Sequence, residues 1–191
     1  MIYVCPMKKL GVKERIIESA SNLFYFQGYN QTGINQIIAE AGVAKASMYQ
    51  HFRSKEDIAV AYLIGRHIMW MGKLNECVER KNQKKGKIIG CFDYLTEWLT
   101  EVNFRGCGWQ NIIADLPEDH TKIKDQAVLH KNEFRDWIHQ LMKEEKYNVK
   151  QAVELGDEIL ILIEGAIILS QIQKNDWPIQ TAKRACVRLL T

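Results

Sequence analysis

Proline is scarce in this chain, with 3 residues among 191, and segments in which apolar and polar residues alternate are few. Both absences favour an ordered helical protein over a β-sheet protein. A membrane span is also missing: the most apolar stretch, residues 159–172, is interrupted by Glu164, whereas a span needs about 20 apolar residues. At the N-terminus the lysines follow the apolar residues 1–7 instead of preceding them. This order argues against a signal peptide, and we expect no export.

Cysteine pairs at metal-binding spacing are absent as well. The cysteines number 5 and contain no CxxC pair; they are Cys5, Cys77, Cys91, Cys107 and Cys186. An odd, widely spaced set predicts neither a disulfide framework nor a zinc site. We therefore expect a cytoplasmic protein without a metal or other cofactor.

Charge is small in total but uneven along the chain. The net charge is +3, from 26 Lys and Arg against 23 Asp and Glu. Residues 1–66 contain eight basic and five acidic side chains, and residues 67–191 contain eighteen of each. The whole excess lies in the first third, which indicates a polyanion partner there. Four of these basic residues near the N-terminus could form either a solvated end or a phosphate or minor-groove arm: Lys8, Lys9, Lys13 and Arg15.

Apolar residues recur at helical spacing in nearly every segment. The predicted all-α chain has helices at 12–27, 34–41, 43–51, 55–75, 88–102, 109–116, 121–146, 150–173 and 178–190. Gly28 and Gly42 are placed to end the first two helices. Thr32, Ser54 and Asp176 are predicted to cap the helices that follow them. Residues 80–87 are predicted to form a polar connector. The composition changes near residues 66–80, which is the one domain boundary that the sequence suggests. The fourth predicted helix crosses this boundary.

Residues 34–41 and 44–50, separated by Gly42, have the spacing of a helix-turn-helix. Ile34, Ile37 and Ile38 are predicted to pack on the first helix, while Val43, Met48 and Phe52 hold the second short helix in place. The remaining side chains form an outer face that suits a DNA major groove about 12 Å wide. These are Lys45, Ala46, Ser47, Tyr49, Gln50 and His51.

The pattern extends beyond the two helices. It comprises residues 28–32 (Gly-Tyr-Asn-Gln-Thr), Ile34, Ile37, residues 41–43 (Ala-Gly-Val), Met48-Tyr49, His51-Phe52 and residues 54–56 (Ser-Lys-Glu). This pattern closely resembles the N-terminal domain of the TetR-like family of bacterial transcriptional regulators. The resemblance implies a DNA-binding domain, here residues 1–54, and a helical ligand-binding and dimerisation domain, residues 55–191. It also implies that Tyr49, His51 and Lys55 hold phosphates while the helix after Ala44 reads bases.

The full predicted DNA-contact set is Thr32, Asn35, Lys45, Ser47, Tyr49, Gln50, His51 and Lys55. Within it we expect Lys45, Ser47, Gln50 and Asn35 to contact base edges. Three positions depart from the family pattern: Ala44 replaces a usual capping serine, Ala46 a usual glycine or other small residue, and Gly33 a better helix former.

The C-terminal part carries an excess of aromatic and sulfur side chains. The family resemblance implies an effector pocket among helices four to eight, and pockets of this kind are lined by such residues. The predicted wall residues are Met71, Phe92, Trp98, Trp109, Phe134 and Trp137. Ordinary core packing is the alternative for each of them.

Residues 159–163 are five consecutive branched aliphatic residues, so their helix is apolar on every side. One side should then face another molecule, and a second copy of the chain is the simplest partner. The predicted interface residues are Leu160, Ile163, Ile167, Cys186 and Leu190. The alternative is a central helix buried within its own domain.

Cys107 lies beside Arg105 in an Arg-Gly-Cys-Gly sequence at a predicted helix start. It is either a buried packing residue or a reactive thiol.

No nucleophile elbow, phosphate loop or metal-spaced cluster is present, so we predict that the protein is not an enzyme. The sequence favours a homodimeric repressor that leaves a palindromic operator when a small apolar or amphipathic effector binds. The alternatives are a small-molecule binding protein with vestigial DNA binding and a Cys107-based redox or electrophile sensor.

Overall fold

The computed structural model describes residues 10–80, 86–114, 116–145 and 147–191, and all regular secondary structure in these ranges is helical. The helices are α1 (Val12–Phe26), α2 (Ile34–Ala41), α3 (Lys45–His51), α4 (Lys55–Arg80), α5 (Lys87–Glu101), α6 (Gly108–Ile113), α7 (Thr121–Glu144), α8 (Val149–Gln173) and α9 (Trp177–Leu189). The predicted all-α class is confirmed. Residues 1–7, Lys8, Lys9 and most of the predicted connector, 81–85, lie outside the described residues.

The first three helices pack around the apolar stripe of α1. Ile16 and Ala20 have no exposed surface, and neither do Ile37 of α2 and Met48 of α3. The start of α4 closes this small core with Ile58, which is also fully buried. Helix α4 contributes to this core at its start and packs among the later helices further along. One continuous helix therefore connects the two halves of the molecule.

Two glycines end helices where a left-handed residue is needed. Gly28, after α1, has a φ of +107°, and Gly42, after α2, has a φ of +60°. A side chain in this region of backbone space costs about 1–2 kcal/mol, which glycine avoids. At the start of α4, the Ser54 hydroxyl accepts a hydrogen bond from the Asp57 amide at 3.1 Å, as predicted for a cap.

The other two predicted caps are wrong. Thr32 is fully buried, and its hydroxyl donates to the Gly28 carbonyl at 2.7 Å instead of capping α2. Asp176 makes no capping bond at the start of α9, and its carboxylate accepts from the Gln180 side chain at 3.3 Å. In both cases the oxygen binds a partner that periodicity does not reveal.

Helices α5 and α7 pack against α4, α8 packs on α7, and α9 packs on α8 and α5 to complete the C-terminal bundle. Helix α4 ends at Arg80, beyond the predicted residue 75, because Cys77 and Val78 are buried and extend its contacts with the bundle. The cysteines in the described ranges, Cys77, Cys91, Cys107 and Cys186, are buried and form no disulfide. None of the described helices combines the length and apolar character that crossing a membrane requires.

Candidate functional site

The helix-turn-helix is held rigidly from behind. Met48 is fully buried and Phe52 nearly so, as the spacing predicts. Arg15 adds a clamp that the sequence did not reveal: its Nη1 donates to the carbonyls of Ala41 at 2.9 Å and Gly42 at 3.0 Å. These carbonyls end α2 and are left without partners inside the helix. Arg15 is therefore a structural residue of the turn, not part of a phosphate-binding arm.

The outward face of α3 is polar and basic. Its exposed side chains are those of Lys45, Tyr49, Gln50 and His51, and Ser47 is half-buried. Residues 41–55 contain no Asp or Glu, so no carboxylate of this segment opposes the approach of phosphate groups. The helix thus presents side chains that can meet base edges and phosphates on a surface of favourable charge.

Two further exposed residues border this face. Asn35, in the first turn of α2, is exposed as predicted, and Arg53, in the link between α3 and α4, is exposed as well. Arg53 was missing from the predicted contact set. The sequence could have indicated Arg53, because basic residues still outnumber acidic ones just past the end of α3.

Two members of the predicted contact set point inward. The side chain of Thr32 has no exposed surface, so the prediction that it contacts DNA is wrong. The Lys55 ammonium donates to the carbonyls of Tyr29 at 3.1 Å and Thr32 at 3.2 Å and lies 4.2 Å from the centre of the Tyr29 ring. Burial lowers the pKa of Lys55. In this structure Lys55 joins the start of α4 to the turn after α1 instead of projecting toward a phosphate.

The aromatic side chains of the second half mostly pack on one another. Trp70 lies at the centre, with its ring 5.8 Å from Trp98 and 5.2 Å from Phe134 in edge-to-face contacts. Phe92 has no exposed surface and Phe134 almost none. In this structure Phe92 and Phe134 therefore pack in the core, as the alternative prediction had it, and do not form pocket walls. Two other predicted wall residues, Met71 and Trp137, are half-buried.

Cavities lie beside this aromatic cluster. Trp109 borders a groove of about 340 Å³ between α6 and α7, and Trp98 borders a smaller cavity of about 240 Å³ near the end of α4. A third cavity, of about 310 Å³, lies between α4 and α7 and is lined by Leu63, Ile64, His67, Gln126, Leu129, His130 and Glu133. We call it the α4–α7 cavity. The volumes of the groove beside Trp109 and of the α4–α7 cavity lie in the range of small-ligand pockets.

The sequence model described as bacterial regulatory proteins of the tetR family matches residues 16–62. A second model, the C-terminal domain of LmrA/YxaF-like transcriptional regulators, matches residues 86–185, more than half of the chain. The chain belongs to the TetR family of bacterial transcriptional regulators. It is accordingly a helix-turn-helix regulator with a ligand-binding domain, and not an enzyme.

Individual TetR-family relatives match along most of the chain. The transcriptional regulator LmrA of Bacillus subtilis is 25% identical over 169 residues, 87% of this chain and 90% of LmrA. The transcriptional repressor DhaR of a Mycobacterium species is 20% identical over 181 residues, covering 91% and 89%. The crystal structure of reduced Escherichia coli NemR superposes with a TM-score of 0.79 at 18% identity, covering 94% of this chain and 97% of NemR, which shows the shared fold.

In this TetR-family chain, α8 presents a different side to solvent from the one predicted. Ile163 and Cys186 are fully buried and Ile167 nearly so, so these three predicted interface residues belong to the core of their own domain. Leu160 and Leu190, also predicted, are half-buried. Apart from Val149 at the start of α8, the large exposed apolar residues of the pair are Ile161, Ile168, Leu169 and Ile172 on α8 and Trp177 and Leu189 on α9.

Cys107 is buried at the start of α6. The Lys131 ammonium lies 3.8 Å from its sulfur, but it is bound to both Glu164 carboxylate oxygens at 2.6 and 2.7 Å. His139, on the same helix as Lys131, is bound to a different partner: its Nε2 lies 2.8 Å from an Asp157 carboxylate oxygen. Within the described ranges, no group of three or more histidine, cysteine or carboxylate side chains is placed to hold a metal ion.

Several hydrogen bonds lie where the DNA-binding helices of this regulator meet the helices that follow them. The Tyr25 hydroxyl of α1 donates to the Gly106 carbonyl, just before α6, at 2.7 Å. At the start of α7, the Lys122 ammonium pairs with Asp57 at 2.7 Å and its amide donates to Glu56 at 3.0 Å. Glu56 and Asp57 form the first turn of α4, so these contacts lie directly after the helix-turn-helix.

Proposed function

We propose that this protein is a homodimeric repressor that binds a palindromic operator through α3 and releases it when a small molecule occupies the domain after residue 54. The outward face of α3 carries the proposal. It exposes basic and polar side chains without a carboxylate in residues 41–55, while buried Met48 and Phe52 hold its orientation. The name of the relative DhaR, a transcriptional repressor, supports the direction of regulation.

For the operator complex we assign base contacts to Lys45, Ser47, Gln50 and Asn35, and phosphate contacts to Tyr49, His51 and Arg53. Lysine and glutamine pair with guanine and adenine edges in the major groove. The phosphate contacts position the helix and make binding sensitive to salt. We place the domain boundary between residues 54 and 55, although the first turns of α4 pack on the DNA-binding helices.

Selection of bound sequences from a random DNA pool tests the DNA-binding proposal. We expect a two-fold symmetric sequence with half-sites about one helical turn apart, or a multiple of that distance. Repeating the selection with Lys45→Ala should relax the preference at one position of each half-site. If the full chain selects no sequence, the alternative of a small-molecule binding protein with vestigial DNA binding replaces the proposal.

We propose that a second copy of the chain covers the exposed face of α8 and α9. Residues 161, 165, 168 and 172 follow the i, i+4, i+7, i+11 spacing of one helical stripe, and Ile161 and Ile172 are 72% and 70% exposed. Gly165 within the stripe allows close approach of a second helix. Grooves between α8 and α9, of about 600 and 240 Å³, can receive side chains from the partner. A continuous apolar surface of this kind marks an interface in a water-soluble protein.

The interface assignment is tested by Ile161→Asp, which places a charge on the proposed stripe at its most exposed residue. We expect a monomer by light scattering at concentrations where the unmodified chain is a dimer, because the buried carboxylate would be unpaired. Val149→Asp is the matched control, since Val149 is 70% exposed on the same helix but lies far from the stripe around the helix axis. A dimeric Ile161→Asp variant would place the interface elsewhere.

Effector release follows from linkage. Dimer symmetry sets the distance between the two α3 helices, and a ligand that prefers a different relative position of α4 and α7 shifts the population away from DNA. Such couplings are typically about 1–3 kcal/mol. Operator affinity measured with and without a candidate effector gives this coupling directly, and an effector that binds without changing the affinity would contradict the release mechanism.

A further inference from the structure

The α4–α7 cavity has walls from only two helices. Leu63, Ile64 and His67 come from α4, and Leu129, His130 and Glu133 are among the residues from α7. The hydrophobic side chains Ile64 and Leu129 are 44% and 48% exposed, so the cavity offers apolar surface that the protein itself leaves uncovered. An occupant would therefore contact both helices and gain hydrophobic stabilisation.

Three polar side chains form a hydrogen-bonded chain along one wall. Nδ1 of His67 lies 2.9 Å from Nδ1 of His130, and Nε2 of His67 lies 2.6 Å from a Glu133 carboxylate oxygen. His130 is held in place by Trp109, whose ring stacks on it with centroids 3.5 Å apart and an angle of 7°. This wall is therefore preorganised, with Glu133 at its solvent end.

Glu133 is the acidic side chain of the lining. Burial, reinforced by nearby Lys131, lowers the pKa of His130 to about 3, so this imidazole is neutral at physiological pH. No lysine or arginine is among the lining residues. The neighbouring cations are directed elsewhere: Lys131 binds Glu164, and the Arg66 guanidinium lies 3.7 Å from the centre of the Tyr25 ring. Among the described lining residues, Glu133 is thus the side chain whose full charge has a fixed sign.

We propose that the α4–α7 cavity binds a small organic cation, whose charge pairs with Glu133 and whose apolar part packs on Leu63, Ile64 and Leu129. The inference rests on the proposed function, because it identifies the chemical class of the effector. A cation near a partly desolvated carboxylate is attracted more strongly than in bulk water. Its apolar part would also separate or reorient α4 and α7, whose first turns meet at Asp57 and Lys122.

The test compares three probes of similar size by isothermal titration calorimetry on the full chain without DNA. They are 2-phenylethylamine, which is cationic at neutral pH, the neutral 2-phenylethanol and the anionic phenylacetate. We expect the amine to bind on the order of tenfold more tightly than the alcohol, and phenylacetate to bind most weakly. Equal affinities for the amine and the alcohol, tighter binding of phenylacetate, or no binding at millimolar concentration would overturn the proposal.

Variants separate charge from shape. Glu133→Gln keeps an oxygen that can accept from His67 but removes the charge, so it should weaken amine binding on the order of tenfold and leave 2-phenylethanol binding unchanged. Asp136→Asn, an exposed change three residues along α7, is the matched control and should leave both unchanged. A Glu133→Gln variant that still prefers the amine would exclude Glu133 as the charge partner.

Operator binding of the same samples distinguishes this inference from the proposed function. A chain that selects and binds an operator but does not prefer the amine would refute the cavity assignment alone. A chain that binds the amine through Glu133 but selects no DNA would refute the repressor function and leave the cation site in place.

Discussion

His130 provides a quantitative test of how burial shapes this regulator. Its side chain is 4% exposed, and desolvation lowers the pKa of its imidazole to about 3. The unfolded chain restores the ordinary pKa near 6.5. Below that value the unfolded state takes up a proton that the folded state does not accept. The contribution of His130 to stability is therefore fully present above about pH 6.5 and is lost progressively as the pH falls toward 3.

The size of the effect follows from this difference in pKa. At about pH 5 the unfolded imidazole is protonated in about 97% of molecules, which lowers the free energy of unfolding by about 2 kcal/mol relative to neutral pH. His130→Phe removes the titrating group and keeps a ring that can stack on Trp109. We expect the variant to lose about 2 kcal/mol of the difference in unfolding free energy between about pH 7.5 and pH 5.

Urea unfolding followed by tryptophan fluorescence measures this difference, at one protein concentration because a dimer is expected. His51→Gln is the control. His51 is exposed and its replacement leaves the buried His130 in place, so this variant should retain the original pH dependence. If His130→Phe also retained it, the buried imidazole would not be the source of the acid sensitivity and the neutral state assigned to His130 would be wrong.

Three further outcomes are expected. Arg53→Ala should weaken binding to all DNA sequences alike and reduce the slope of log K against log salt by about 1, because its guanidinium is assigned to a phosphate. An unchanged slope would exclude this phosphate contact. Lys55→Met should instead lower the free energy of unfolding by about 1.5–3 kcal/mol, because the Lys55 ammonium binds two backbone carbonyls. The salt dependence of DNA binding should stay the same. A reduced salt dependence with unchanged stability would show that Lys55 contacts a phosphate. Tyr25→Phe removes the hydrogen bond to Gly106, so it should lower the free energy of unfolding by about 1 kcal/mol and reduce the effect of an effector on operator affinity. If the effect of the effector is unchanged, this contact does not couple the effector site to the operator.

Most helices could be located from periodicity alone, because local spacing determines which helical face is apolar. The fifth helix illustrates this: predicted at 88–102, it is found at Lys87–Glu101. The end of α4 was predicted too early, since the burial of Cys77 and Val78 depends on distant helices. The helix-turn-helix was predicted with its turn at Gly42, and the left-handed conformation there agrees with the choice of glycine.

The candidate sites were predicted less completely, for reasons that particular residues show. Asn35, Lys45 and Gln50 were correctly expected at the surface because neighbouring apolar residues determine which way a short helix faces. Lys55 was expected to project outward, yet nearby backbone carbonyls and an aromatic ring offer its ammonium better partners. The cavity beside Glu133 was missed altogether, since its polar wall combines residues more than sixty positions apart.

The sequence by itself determined the helical class, the helix-turn-helix and the family resemblance, because these depend on spacing within short segments and on the residues that sharp turns require. Only the tertiary structure decided which side of α8 is exposed. A run of branched residues is apolar in every direction, so nothing local distinguishes Ile161, which is 72% exposed, from Ile163, which is fully buried. The same limit applies to the aromatic residues, because whether a large side chain fills the core or borders a cavity depends on the helices that surround it.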